Sequence, residues 1–188
     1  MPETSLERGR ATRERLLRAA VTLIGEAGWN GVTTRLVAER AGVAPGVVHY
    51  HFGSVTELLT AASLGFVHEL IGQIGEELTR LPDPEAGLDW LMGAVAVYAG
   101  DDPASLLVAE TYLASTRIPE LRDRLAELVL AFRRTLARWL AGHGVEDADA
   151  VAALLAAAID GLVLHHRLDP ELDVAALAGP VRRLLRKE

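Results

Sequence analysis

Between Thr33 and Phe52 the chain reads TTRLVAERAGVAPGVVHYHF, and its densest chemistry is the consecutive trio His49, Tyr50 and His51. A phenol O–H and two imidazole N–H groups can donate to phosphate oxygens, and the nearby Val47 can meet a thymine methyl. His49 and His51 invite a metal reading, but residues two apart on a helix point about 200° apart and do not share an ion. The adjacent His165 and His166 diverge by about 100°, so no metal site is expected. The chain has no Cys, which removes thiol nucleophiles, disulfides and zinc sites built on thiolates. No nucleophile stands with a base and an orienter, and no phosphate loop is present. The expectation is a protein that is not an enzyme and carries no cofactor.

The elements that would hold these groups are helices. Leu16, Ala19, Ala20, Leu23, Ile24 and Ala27 recur at helical offsets, and Gly28 supplies a stop. Thr33 can cap a second helix through Arg40, with Leu36, Val37 and Ala41 inward and Gly42 at its end. After the GVAPG turn, Pro45 opens a two-turn helix to Phe52. On it Val48 and Phe52, four apart, face inward and leave Val47, Tyr50 and His51 outward, with Pro45 and His49 beside them. Helix, tight turn and second short helix make a helix-turn-helix, whose second helix enters the major groove.

Charge agrees with that assignment. The whole chain is at −7, yet residues 1–60 carry seven Arg against six acids and residues 61–188 carry twelve basic residues against twenty acids. Only the first segment has a face suited to a polyanion.

From Ser54 a long helical stripe runs through Leu59, Ala62, Phe66, Leu70, Ile74 and Leu78 to about Arg80, roughly 39 Å at 1.5 Å per residue. Further helices start at Asp83-Pro84, Asp102-Pro103 and Pro119. Asp147 is expected to cap AVAALLAAAIDGLVLHHRL, which is apolar almost all round, so its second face either meets another subunit, the favoured reading, or closes this chain's own core with the final helix. Asp173 opens a last pattern with Val174, Leu177, Val181, Leu184 and Leu185, kinked at Gly179-Pro180. Gly65, Gly72 and Gly75 interrupt the long helix at about 1 kcal/mol each relative to Ala; either close packing or room for a ligand would account for them. No strand pattern appears. The fold class is all-α: a three-helix head at 1–53 and a larger helical domain at 54–188. No run of about 18 consecutive apolar residues is found and the N-terminus is polar, so a cytoplasmic protein without a membrane anchor is expected.

The segment from about Thr12 to Leu59, with RERLLRAAVTLIGEAG, Thr33, AERAGV, Gly46, HYHF and the Ser54–Leu58 lead, strongly resembles the tetracycline-repressor (TetR) family of bacterial transcriptional regulators. PELRDRLAEL and AAAIDGLVLHHRLDP look, more loosely, like the betaine-regulator type. The resemblance implies that three N-terminal helices bind operator DNA, the others enclose a small-molecule effector, and the last two long helices pair in a homodimer. The DNA-facing residues are then Arg8, Arg10, Arg13, Thr33, Thr34, Arg35, Ala44, Pro45, Gly46, Val47, His49, Tyr50 and His51. Candidate effector contacts are Phe66, His68, Trp90, Tyr98, Glu110, Tyr112 and Asp160. Aromatics at helical spacing also serve as ordinary core, and Asp160 also suits an interface or internal polar contact. A repressor released from a pseudo-palindromic operator by its effector is the reading. The alternatives are a ligand-independent dimeric regulator and a helical small-molecule-binding protein.

Two positions depart from the family pattern. Val55 stands where the family usually has a phosphate-contacting Lys, and Ala44, Pro45 and Val47 stand where Ser or Thr is common. No Lys or Arg lies strictly between Ala41 and Thr56. Affinity then leans on Arg8, Arg10, Arg13 and Arg35, on helix N-termini, and on His49 and His51, so binding should strengthen as pH falls through the ordinary histidine range.

Overall fold

The computed structural model describes residues 5–98 and 103–183, with Ser5, Tyr98, Pro103 and Ala104 described in their backbone only. Nine α-helices occur among them: α1 (Ser5–Ala27), α2 (Thr34–Ala41), α3 (Pro45–His51), α4 (Val55–Arg80), α5 (Pro84–Tyr98), α6 (Pro103–Ser115), α7 (Pro119–Gly142), α8 (Ala148–Leu168) and α9 (Ala178–Arg182). Short 3-10 turns at Trp29–Gly31 and Ala175–Leu177 complete the described elements, and no strand is present among these residues. The all-α expectation holds.

The boundaries follow local chemistry. Gly28 ends α1 at φ 71°, a left-handed conformation that Gly adopts without Cβ strain. The Thr33 hydroxyl accepts from the Leu36 amide and caps α2, and Gly42 in the αL region closes it. Ser54 Oγ accepts from the Glu57 amide at 3.0 Å, while the Glu57 carboxylate turns back to accept from Gly53 N–H. Asp83 does the same for α5 through the Ala86 amide.

Three local expectations are corrected. Helix α1 begins at Ser5, well before the apolar stripe, because RATRERLL is rich in helix formers and Arg10 pairs with Glu14 one turn on. Leu36 is exposed; Val37, Ala38 and Ala41 form the inner face of α2 instead. Asp147 occupies the position before α8 with φ 48°, and its carboxylate makes no capping bond, so the backbone turn rather than a side-chain cap starts that helix.

The chain divides into two compact units, residues 1–67 with 106–124 and residues 68–105 with 125–188. In the first unit α1 packs on α2 and α2 on α3, over Leu16, Ala20, Ile24, Val37, Val48 and Phe52, all nearly or wholly buried. In the second unit α5 packs on α8 and α9, around Leu88, Met92, Leu136, Leu140, Ala152 and Leu155. Gly87 on α5 lies so close under Trp139 of α7 that a Cβ there would overlap the indole ring. Gly65 and Gly72 have open space around them, and Gly75 meets only the Thr135 methyl at ordinary contact distance, so close packing within the chain explains none of the three.

Length and composition alone would let α4 and α8 cross a bilayer. Neither helix is an uninterrupted apolar run, since Glu69 lies within α4 and Asp160 within α8. In α8 the apolar excess is on the surface: Leu154, Leu164 and Leu168 are 52%, 49% and 84% exposed.

Candidate nucleic-acid interface

The short helix α3 is fixed from beneath and open above. Val48 and Phe52 are buried, and the Phe52 amide donates to Val48 O. Pro45, Gly46, His49 and Tyr50 are exposed, Tyr50 to 84%, while Val47 and His51 are half-buried. The Tyr50 and His51 rings meet edge to face, with centroids 5.1 Å apart. A phenol this exposed has an apolar ring with no core to bury it and an O–H free to reach outward. Ala44 and Gly46 present small surfaces, and nothing lies within 4 Å of a Cβ built on Gly46, which permits close approach by a partner.

Helix α2 holds α3 in place and is itself anchored to α1. The Arg40 guanidinium makes a two-pronged bond to Glu26, 3.1 and 2.7 Å, across the two helices. That hydrogen bond, with the attraction of the Arg40 charge, holds the Glu26 carboxyl below its ordinary range and raises the guanidinium. Arg40 is thereby committed to the scaffold, whereas Arg35 is exposed, as is Thr33; Thr34 is half-buried. Arg8, Arg10 and Arg13 occupy the first turns of α1 and are all exposed. All three are carried on the helix itself, Arg10 and Arg13 toward one side and Arg8 toward another. Arg13 lies over the Phe52 ring, 4.9 Å to its centroid, which ties the start of α1 to the end of α3 through a cation–π contact. The structure thus gathers α2, α3 and the start of α1 into one three-helix head.

The candidate effector residues fall in both units. Phe66, Glu110 and Tyr112 belong to the first, and His68, Trp90 and Asp160 to the second. Phe66 and Asp160 are half-buried and His68 is exposed; Trp90 packs on the second unit's core, and Tyr112 is exposed. The Tyr98 side chain lies outside the described residues. Glu110 accepts a hydrogen bond from the Trp29 amide at 2.8 Å, a contact no local pattern in the sequence signals. On α7, Arg133 Nε and Trp139 Nε1 are buried without a hydrogen-bond partner among the described residues, which helical periodicity does not signal.

Residues 16–62 match the family model described as bacterial regulatory proteins, tetR family, and residues 82–187 match the tetracyclin repressor-like C-terminal domain. The HTH-type transcriptional regulator BetI of Brucella anthropi is 28% identical over 193 residues, spanning 95% of this chain and 92% of that protein. The HTH-type transcriptional repressor KstR2 of Rhodococcus jostii is 30% identical over 200 residues, spanning 87% and 96%. A regulator from Saccharomonospora viridis, solved in complex with choline, superposes with a TM-score of 0.78 at 23% identity over 93% of this chain and 95% of that one.

Proposed function

The chain belongs to the tetR family of bacterial regulatory proteins, and we propose that it is a cytoplasmic homodimeric repressor that leaves a pseudo-palindromic operator when a small-molecule effector binds. One observation carries the reading: α3 is anchored by buried Val48 and Phe52 while Pro45, Gly46, His49 and Tyr50 stand exposed, as does Arg35 on α2. Anchored below and bare above is what a helix needs in order to enter a major groove. In this reading residues 1–53 contact DNA, and residues 54–188 bind the effector and pair the subunits.

The apolar surface of α8, centred on Leu154, Leu164 and Leu168, is the pairing face. A large exposed apolar strip on a helix is most simply covered by its own copy across a twofold axis. Two heads then address successive major grooves about 34 Å apart. The effector acts only if it binds the DNA-incompetent spacing more tightly than the competent one.

Fluorescence anisotropy with a labelled duplex taken from upstream of the chain's own gene tests this. Saturable binding that weakens steeply with salt, and is lost in Tyr50→Ala with Arg35→Ala, supports it; binding indifferent to those substitutions refutes it. Thermal shift with choline as first probe tests the sensing half, since a ligand at 100-fold its Kd stabilises by about 2.7 kcal/mol.

A further inference from the structure

We infer that Glu110 is a positioning residue through which α6 sets the turn between α1 and α2, and with it the DNA-reading helices. The inference deepens the proposed function, but its first test does not need DNA.

The turn from Gly28 to Val32 decides how α2 leaves α1. Gly28 holds φ 71°, Trp29 is buried at 8% exposure, and the Val32 backbone is extended before the Thr33 cap. After a helix stop of this kind, free amides need partners. The Gly28 amide closes on Ile24 O and the Gly31 amide on Gly28 O. The Trp29 amide has no backbone acceptor among the bonds described; it donates to Glu110 Oε2 at 2.8 Å, from a residue 81 positions later. The carboxylate lies flat over the Gly28 α-carbon, with its carbon and both oxygens 3.5 Å from where a Cβ would stand. One side chain of α6 therefore both satisfies the amide at the turn and lies over Gly28, at ordinary contact distance from where a Cβ would stand.

This contact lies within one compact unit, since residues 106–124 cluster with residues 1–67. Glu110 itself is only half-buried, so a carboxylate is not required there to fill a core. A bond from an ionised acceptor to a backbone donor is among the stronger single hydrogen bonds. It fixes direction as well as distance, because the amide it holds is two residues past the last residue of α1. Displacement of α6 at Glu110 must either move the turn or break this bond. Either outcome changes the angle at which α2 and α3 are presented, which gives α6 leverage on the reading head through a named atom pair.

The test is hydrogen exchange on the full-length chain without DNA, comparing wild type, Glu110→Ala, Glu110→Asp and Glu110→Gln. Loss of the acceptor in Glu110→Ala should speed exchange at Trp29 about tenfold, and raise it through residues 28–41 while α8 is unchanged. Glu110→Asp, one methylene short, should behave alike and serves if the Ala variant does not fold. Glu110→Gln keeps an acceptor oxygen and should restore most of the protection. Operator affinity, measured alongside, should fall with the Ala and Asp variants and recover with Gln. Unchanged exchange over residues 28–41, or a rise spread evenly over the chain with a matching drop in Tm, overturns the inference. Wild-type protein that shows the local exchange pattern yet binds no duplex would instead overturn the DNA-binding reading and leave the clasp standing.

Discussion

Val55 is the first residue of α4, half-buried, directly after the Ser54 cap and beside the Glu57 carboxylate that folds back on Gly53. The family resemblance places a phosphate-contacting Lys here, so Val55→Lys should add one clamp to each subunit. The Lys stem can lie along the surface Val55 covers and carry its ammonium outward. Each phosphate neutralised steepens the dependence of log affinity on log salt by about 0.9, and a dimer gains two such contacts, about 1.8 in slope. Near ~0.1 M salt that amounts to roughly 60-fold tighter binding, and between ~0.05 and ~0.2 M the variant should lose about twelvefold more affinity than wild type. The opposing effect is smaller: a cation in the first turn of a helix costs about 0.3–1 kcal/mol of stability, and it acts on free and bound protein alike. Anisotropy titrations at four salt concentrations read both quantities. A slope identical to wild type, or tightening without any change of slope, would show that this residue does not face the phosphate backbone.

Leu164→Glu should break the pairing of subunits. Fully burying a Leu is worth about 1.5–3 kcal/mol, so a half-exposed one covered in both copies contributes about 2 kcal/mol, and two unpaired carboxylates in an apolar seam add more; sedimentation should show association weakened by well over ~100-fold, and an unchanged association would refute the α8 face. Gly87→Ala should lower stability by about 1–2 kcal/mol, because overpacking against Trp139 exceeds the helix-propensity gain, while Gly72→Ala, with open space around it, should raise stability by up to about 1 kcal/mol; denaturant midpoints that move in the same direction for both would contradict the packing described. Operator binding should tighten as pH falls from about 7.5 to about 5.5, because a protonated imidazole gains a phosphate partner on binding and that gain is lost as pH rises; the dependence should vanish in His49→Gln with His51→Gln, and a flat wild-type profile sinks it.

What was legible in the sequence was local. Leu16 to Ile24 at helical offsets, Gly28 as a stop, Thr33 as a cap, and Val48 with Phe52 beneath His49 and Tyr50 all depend on neighbours within a turn or two, and periodicity reports such neighbours. Leu36 went astray because α2 spans barely two turns, too few for the stripe to separate its edge from its centre. Asp147 went astray because a residue type that favours capping also tolerates a left-handed backbone, and the two differ only in the backbone angle adopted, here φ 48°. The Glu110–Trp29 clasp and the Gly87–Trp139 contact join residues far apart in the chain, and no pattern in one sequence encodes which distant side chain reaches a given amide. For the effector residues the sequence offered only aromatics and carboxylates at helical spacing; one of them, Glu110, accepts a bond from the Trp29 amide.

The most direct test of the account is a protection footprint of the purified protein on the DNA upstream of its own gene at low salt. Two protected half-sites about one helical turn apart, lost together on removal of the Tyr50 and Arg35 side chains, are the result expected. A footprint that is absent at low salt, or that survives those substitutions, would contradict it.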